Sequence, residues 1–198
     1  MGLISNKLHN RTIVLVRIFL GLILFGAGMS KLYFEHKFPG IIGPVWLEEK
    51  LAEHDLGLYA RFIAASQIIA GLLLFTQRFS TLGAILTFPI LLNIFVVTVS
   101  LKWQGTPYVN FFLLSLNAWL LAYDYHKLKF ILTDVTQKLK PITLKRKSKR
   151  ADLLWVLGVL MILVSVPLSY ANLMIAWVLC GIAVVGILIN QLVHKKKE

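Results

Sequence analysis

The sequence predicts an all-α polytopic membrane protein: a four-helix transmembrane bundle plus a two-helix C-terminal hairpin, six spans, both termini cytoplasmic. Three observations carry that prediction. The 198 residues are 58% apolar with a mean hydropathy of +0.75, well outside the range of average soluble domains. The apolar residues gather into about six runs, each long enough as a helix to cross roughly 30 Å of hydrocarbon. Sixteen of the 21 Lys and Arg lie in four places, residues 1–17, Arg78, residues 127–150 and residues 195–197, alternating with cation-poor segments as orientation by positive charge requires. The net charge of +12 is thus mostly topology. No recognition motif accompanies the basic run, and nucleic acid is not an expected partner.

The first span covers residues 12–32, TIVLVRIFLGLILFGAGMSKL. At 100° per residue Arg17, Gly21, Gly28 and Lys31 share an arc of about 80°. A cation near the centre of a spanning helix costs roughly 2.5–3.5 kcal/mol, so this stripe is expected to face other helices. Lys7 and Arg11 ahead of it place the N-terminus in the cytoplasm, and the span reads as an uncleaved signal anchor. Residues 33–57 then form an external segment holding five of the nine acids. Gly43-Pro44 is a helix-start signal. The stretch that follows puts Leu47, Leu51 and Leu58 on one face, fitting an interfacial helix anchored by Trp46 or a lid over the bundle mouth.

The second span, about residues 58–76, aligns Ala64, Gln67 and Gly71, small residues flanking an amide, which predicts close helix contact and an interhelical hydrogen bond. Arg78 marks the return to the cytoplasm. The third span, about 80–101, carries Pro89, Asn93 and Ser100 on one stripe, and the outer turn holds Trp103 and Tyr108 as interfacial aromatics. In the fourth, about 107–126, Asn110, Asn117 and Asp124 recur every seven residues within an arc of about 40°. That line must look inward, and Asp124 lies at the depth of Arg17, so the two are expected to pair. Residues 128–151 read as an amphipathic cytoplasmic linker, with Leu128, Ile131, Leu132, Val135 and Leu139 on one face and a basic tether held at anionic lipid. Residues 152–193 are too long for one crossing. Pro167 with Ser169, Tyr170 and Asn172 marks the turn of a hairpin. The single cysteine, Cys180, sits in an apolar run and reads as packing. It excludes an internal disulfide or dithiol mechanism.

The segment RIFLGLILFGAGMSKL, with its Arg, glycines and terminal Lys, resembles the opening of DoxX-like membrane proteins. QIIAGLLLFTQRFSTLGAIL and NFFLLSLNAWLLAYD are similar to later stretches of that family, and together they cover about residues 12–127. The resemblance implies a four-helix membrane bundle. Some relatives are the small subunit of a thiosulfate:quinone oxidoreductase, and others accompany thiol or superoxide defence or methylamine oxidation. It directs attention to Arg17, Lys31, Gln67, Arg78 and Asp124. Gln67 stands where relatives are expected to carry a carboxylate, and the hairpin after residue 151 lies outside the four family spans.

No metalloprotease, phosphate-loop, dinucleotide or serine-triad pattern is present, and the five histidines lie at or beyond helix ends. No metal site is expected. The expected function is that of an integral membrane subunit of a redox-associated system in a bacterial inner membrane, not catalytic by itself. It would contact a quinone or a lipid headgroup through Arg17, Lys31, Gln67, Asn93, Asn110, Asn117 and Asp124. Expected partners are anionic lipids, a membrane or peripheral oxidoreductase, and a second copy of the chain. Two alternatives stand beside this: a non-catalytic assembly or scaffold factor, and a small transporter using the asparagines as a polar path.

Overall fold

Small residues decide how the first two long helices meet. The computed structural model describes residues 2–40, 47–132 and 149–195. Helix α1 (Gly2–Leu32) ends in a short turn at Phe34–His36, α2 (Leu47–Ala52) follows, and α3 (Gly57–Phe75) runs back along α1. A Cβ on Gly21 would lie 2.5 Å from the Phe75 nitrogen, and one on Gly71 would lie 2.5 Å from the Phe25 nitrogen. One on Gly28 would meet the Ala64 carbonyl at 2.6 Å. The two backbones therefore touch, an approach that a side chain at these glycines would forbid.

Short turns then carry the chain through α4 (Ser80–Ser100) and α5 (Thr106–Tyr123). Packing of α1 on α3, α3 on α4, α4 on α5 and α5 on α1 closes a four-helix ring. Its interior holds Ile13, Leu20, Leu24, Leu74, Ala84, Leu91, Leu113 and Leu120. We call the end with the α3–α4 turn basal and the end with the α1–α3 connection distal. After α5 comes α6 (Tyr125–Leu132), and after residues outside the description come α7 (Lys149–Ala171) and α8 (Leu173–Lys195).

All regular structure among the described residues is helical. Five stretches are long and apolar enough to cross a membrane: Asn10–Leu32, Gly57–Phe75, Ser80–Ser100, Arg150–Ala171 and Leu173–Gln191. This is a helical membrane protein by composition and length. The 18-residue α5 is not among the five, because Asn110, Asn117 and the tyrosines at its ends lower its hydropathy, yet it forms one side of the ring.

The C-terminal hairpin lies against the α1/α3 side of that ring. Trp155, Ile162, Ala176, Cys180, Ala183 and Ile187 share a core with Phe25, Met29, Tyr33, Ile68 and Leu72. Polar bonds fasten both of its ends. At the basal end Arg78 Nε donates to Asp152 Oδ1 at 2.8 Å and Trp155 Nε1 donates to Thr76 Oγ1 at 3.0 Å. At the distal end the Tyr33 hydroxyl bonds Ser165 Oγ at 2.7 Å, and the Phe34 N–H donates to Ser169 Oγ at 3.1 Å.

Two local expectations are corrected. Leu51 and Leu58, expected with Leu47 on one face, do not share one: α2 stops at Ala52, Asp55 takes a left-handed conformation (φ 60°), and Leu58 is 82% exposed while Leu51 is buried. The break resets the helical register between them. The hairpin turn falls at Asn172, the last residue of the expected cluster, while Pro167, Ser169 and Tyr170 lie inside α7. Asn172 Oδ1 accepts the Ile175 N–H at 3.1 Å and so caps α8. Gly43-Pro44, Trp46 and the linker beyond Leu132, including Val135 and Leu139, lie outside the described residues.

Candidate functional site

The heptad polar line of α5 ends at Asp124, one residue beyond the helix and fully buried. Arg17 Nη2 reaches its Oδ2 at 2.5 Å. Thr81, on the first turn of α4, donates its hydroxyl to the same oxygen at 3.0 Å, and Lys127 Nζ donates to Oδ1 at 2.7 Å. Three donors, from Lys127, Arg17 and Thr81, thus converge on one buried carboxylate. The Arg17 guanidinium also lies 6.0 Å from the Tyr123 ring centre. One carboxylate thus joins α1, α4, α5 and α6 at the basal end.

At the distal end Lys31 closes the polar stripe of α1. Its Nζ donates to the Ala27 carbonyl at 3.2 Å and to Gln67 Oε1 at 3.1 Å, so the amide foreseen on α3 makes its interhelical bond. Lys31 and Gln67 are both buried. Above Lys31 opens a cavity of ≈ 250 Å³ lined by Tyr33, Glu35, His36, Glu49, Ala52 and Tyr170. Helix α2 supplies one wall of it.

Asn93 belongs to a third place. With Pro89, Leu86 and Ile90 of α4 and Tyr59, Phe62, Ile63, Ser66 and Ile69 of α3 it lines a groove of ≈ 390 Å³ between those helices. Its Oδ1 is shut off from solvent and has no hydrogen-bond donor. Asn117 Nδ2 donates to the Ala84 carbonyl at 3.0 Å, tying α5 to α4. Asn110 is buried on the same face of α5. The predicted residues therefore come together as two pairs, Arg17 with Asp124 and Lys31 with Gln67, at opposite ends of the bundle. The asparagines stand apart from both pairs.

Several polar residues escape a sequence reading. Thr81 and Lys127 complete the Asp124 cluster, and nothing but the fold brings a first-turn threonine of α4 to the end of α5. Tyr33, just past the first span, carries no pattern that marks it, yet it is 1% exposed and bonds the hairpin. Among the described residues no group of three or more His, Cys, Asp or Glu could hold a metal ion. No family model, curated protein or solved structure matches the chain.

Proposed function

We propose that the chain is the integral membrane subunit of a redox-associated system in a bacterial inner membrane, with six spans and both termini cytoplasmic. It holds the head of a quinone or of a lipid and supports a partner oxidoreductase. The observation that carries this reading is the apolar α3/α4 groove with Asn93, Tyr59 and Ser66 in its walls. The Asn93 side chain gives an otherwise apolar groove one amide in its wall. Tyr59 and Ser66 supply hydroxyls in the same groove, while Phe62, Ile69 and Leu86 offer an apolar bed for a tail. The resemblance of residues 12–127 to DoxX-like proteins adds the redox context. Closure of the ring by α5 supports counting it as a span, and the count then leaves every basic cluster on the cytoplasmic side.

The test is purification from native membranes, with the co-purifying quinone measured after solvent extraction. Wild type should retain quinone at near-stoichiometric level, and Asn93→Leu should retain at least tenfold less with unchanged melting. A wild-type preparation holding neither quinone nor a lipid that Asn93→Leu loses would remove this reading. A second reading, a non-catalytic assembly factor, is favoured by the way Arg17, Asp124, Lys31 and Gln67 bond one another. It expects a stable protein partner in the same preparation without quinone.

A further inference from the structure

The cavity above Lys31 is separate from the α3/α4 groove and has a different chemistry. Lys31 is 5% exposed, and both acceptors of its ammonium, the Ala27 carbonyl and Gln67 Oε1, are neutral. Among the described residues no carboxylate pairs with it. A buried cation held only by neutral dipoles carries much of its desolvation cost uncompensated. The missing component is an anion, and the cavity is where one would enter. Two acids stand nearer to solvent on the same cavity: Glu35, which pairs with Lys37, and Glu49 on α2, both exposed. His36 Nδ1 bonds the Ser30 carbonyl at 2.9 Å, which leaves the ring's other nitrogen for a ligand. Glu35 and His36 both adopt left-handed backbone conformations (φ 47° and 56°), each costing roughly 1–2 kcal/mol. That strained turn brings both side chains to this cavity.

A simple anion would meet the two carboxylates on its way in, and a simple cation would meet Lys31 at the bottom. A ligand carrying both charges suits both depths. At ≈ 250 Å³ the cavity is smaller than a drug-sized pocket and admits a group of a few heavy atoms. We propose that it binds a zwitterion in which a phosphate or carboxylate lies a few bonds from a primary ammonium, the anion on Lys31 and the ammonium between Glu49 and Glu35. Two sources share this chemistry: the headgroup of phosphatidylethanolamine at the membrane surface, and a free amino acid.

The experiment uses the full chain in detergent. Native mass spectrometry measures retention of added phosphatidylethanolamine, phosphatidylglycerol and phosphatidylcholine, and calorimetry titrates free phosphoethanolamine and glycine. The expected result is at least a fivefold preference for phosphatidylethanolamine over the other two lipids, or saturable binding of a free zwitterion, which would identify a soluble source. Lys31→Met should lower that binding about tenfold. Glu49→Gln, at an exposed position that leaves folding intact, should abolish the preference over phosphatidylcholine. Equal retention of the three lipids with no binding of either soluble zwitterion would overturn the proposal. So would a preference that survives Glu49→Gln. Neither readout depends on quinone in the α3/α4 groove, so the two proposals fail separately.

Discussion

Asp124 is the residue on which the basal end depends. Replacing it with Asn leaves Arg17 buried without its counter-charge, and breaking a buried pair from one side costs about 3 kcal/mol or more. Asp124→Asn should therefore lower the detergent melting temperature clearly. Arg17→Met combined with Asp124→Asn should recover part of the loss, because the charge that remains, on Lys127, is partly exposed to solvent. Unchanged melting in the single variant would show that the pair contributes nothing. The pairing is legible in the sequence because both residues are charged, face inward on helical periodicity and lie at one depth. The donors from Thr81 and Lys127 are not legible. A threonine on the first turn of a helix and a lysine just past a span are each ordinary in isolation.

At the scale of elements, the contact between α1 and α3 rests on glycines in direct backbone contact. Gly21→Ala and Gly71→Ala each force a Cβ to within 2.5 Å of backbone nitrogen, and overpacking of this kind costs roughly 1–3 kcal/mol. Gly181 and Gly186 of α8 have nothing within 4 Å of an added Cβ. Alanine there should be neutral or stabilise by up to about 1 kcal/mol, through helix propensity. Chemical or thermal unfolding of the four variants in one detergent separates the groups, and equal effects in both would contradict direct backbone contact. The sequence shows this interface well, since Gly21, Gly28, Ala64 and Gly71 align on helical wheels without tertiary information. It misleads at α2. There periodicity carried through Asp55 assumes one continuous helix, and a single left-handed residue sends Leu51 inward and Leu58 outward.

The whole molecule is a ring of four helices with a hairpin fastened to one side at both ends. Because the hairpin shares a core with α1 and α3 and adds bonds through Arg78, Thr76, Tyr33 and Phe34, residues 1–132 and 149–198 expressed as separate chains should co-purify. Arg78→Gln should weaken that association while leaving each fragment in the membrane. Failure of the wild-type fragments to associate would mean that the hairpin is held only by its covalent linker. The six-span topology has its own check. Green fluorescent protein fused after Lys129 should fluoresce, and the same fusion after Lys102 should not, because that protein folds on the cytoplasmic side. Fluorescence at both positions would remove α5 from the count of spans.

Composition and periodicity by themselves determined that this is a helical membrane protein, where its long helices lie, and that Arg17, Lys31, Gln67, Asn110, Asn117 and Asp124 turn inward. Those properties depend on residue type and a fixed angle per residue, both present in the chain before it folds. Only the tertiary structure decided which inward groups meet, that Asn93 opens on a groove and Lys31 on a cavity, and that the hairpin packs on α1 and α3. Such outcomes depend on how helices far apart in sequence are placed beside one another, and no local pattern encodes that placement.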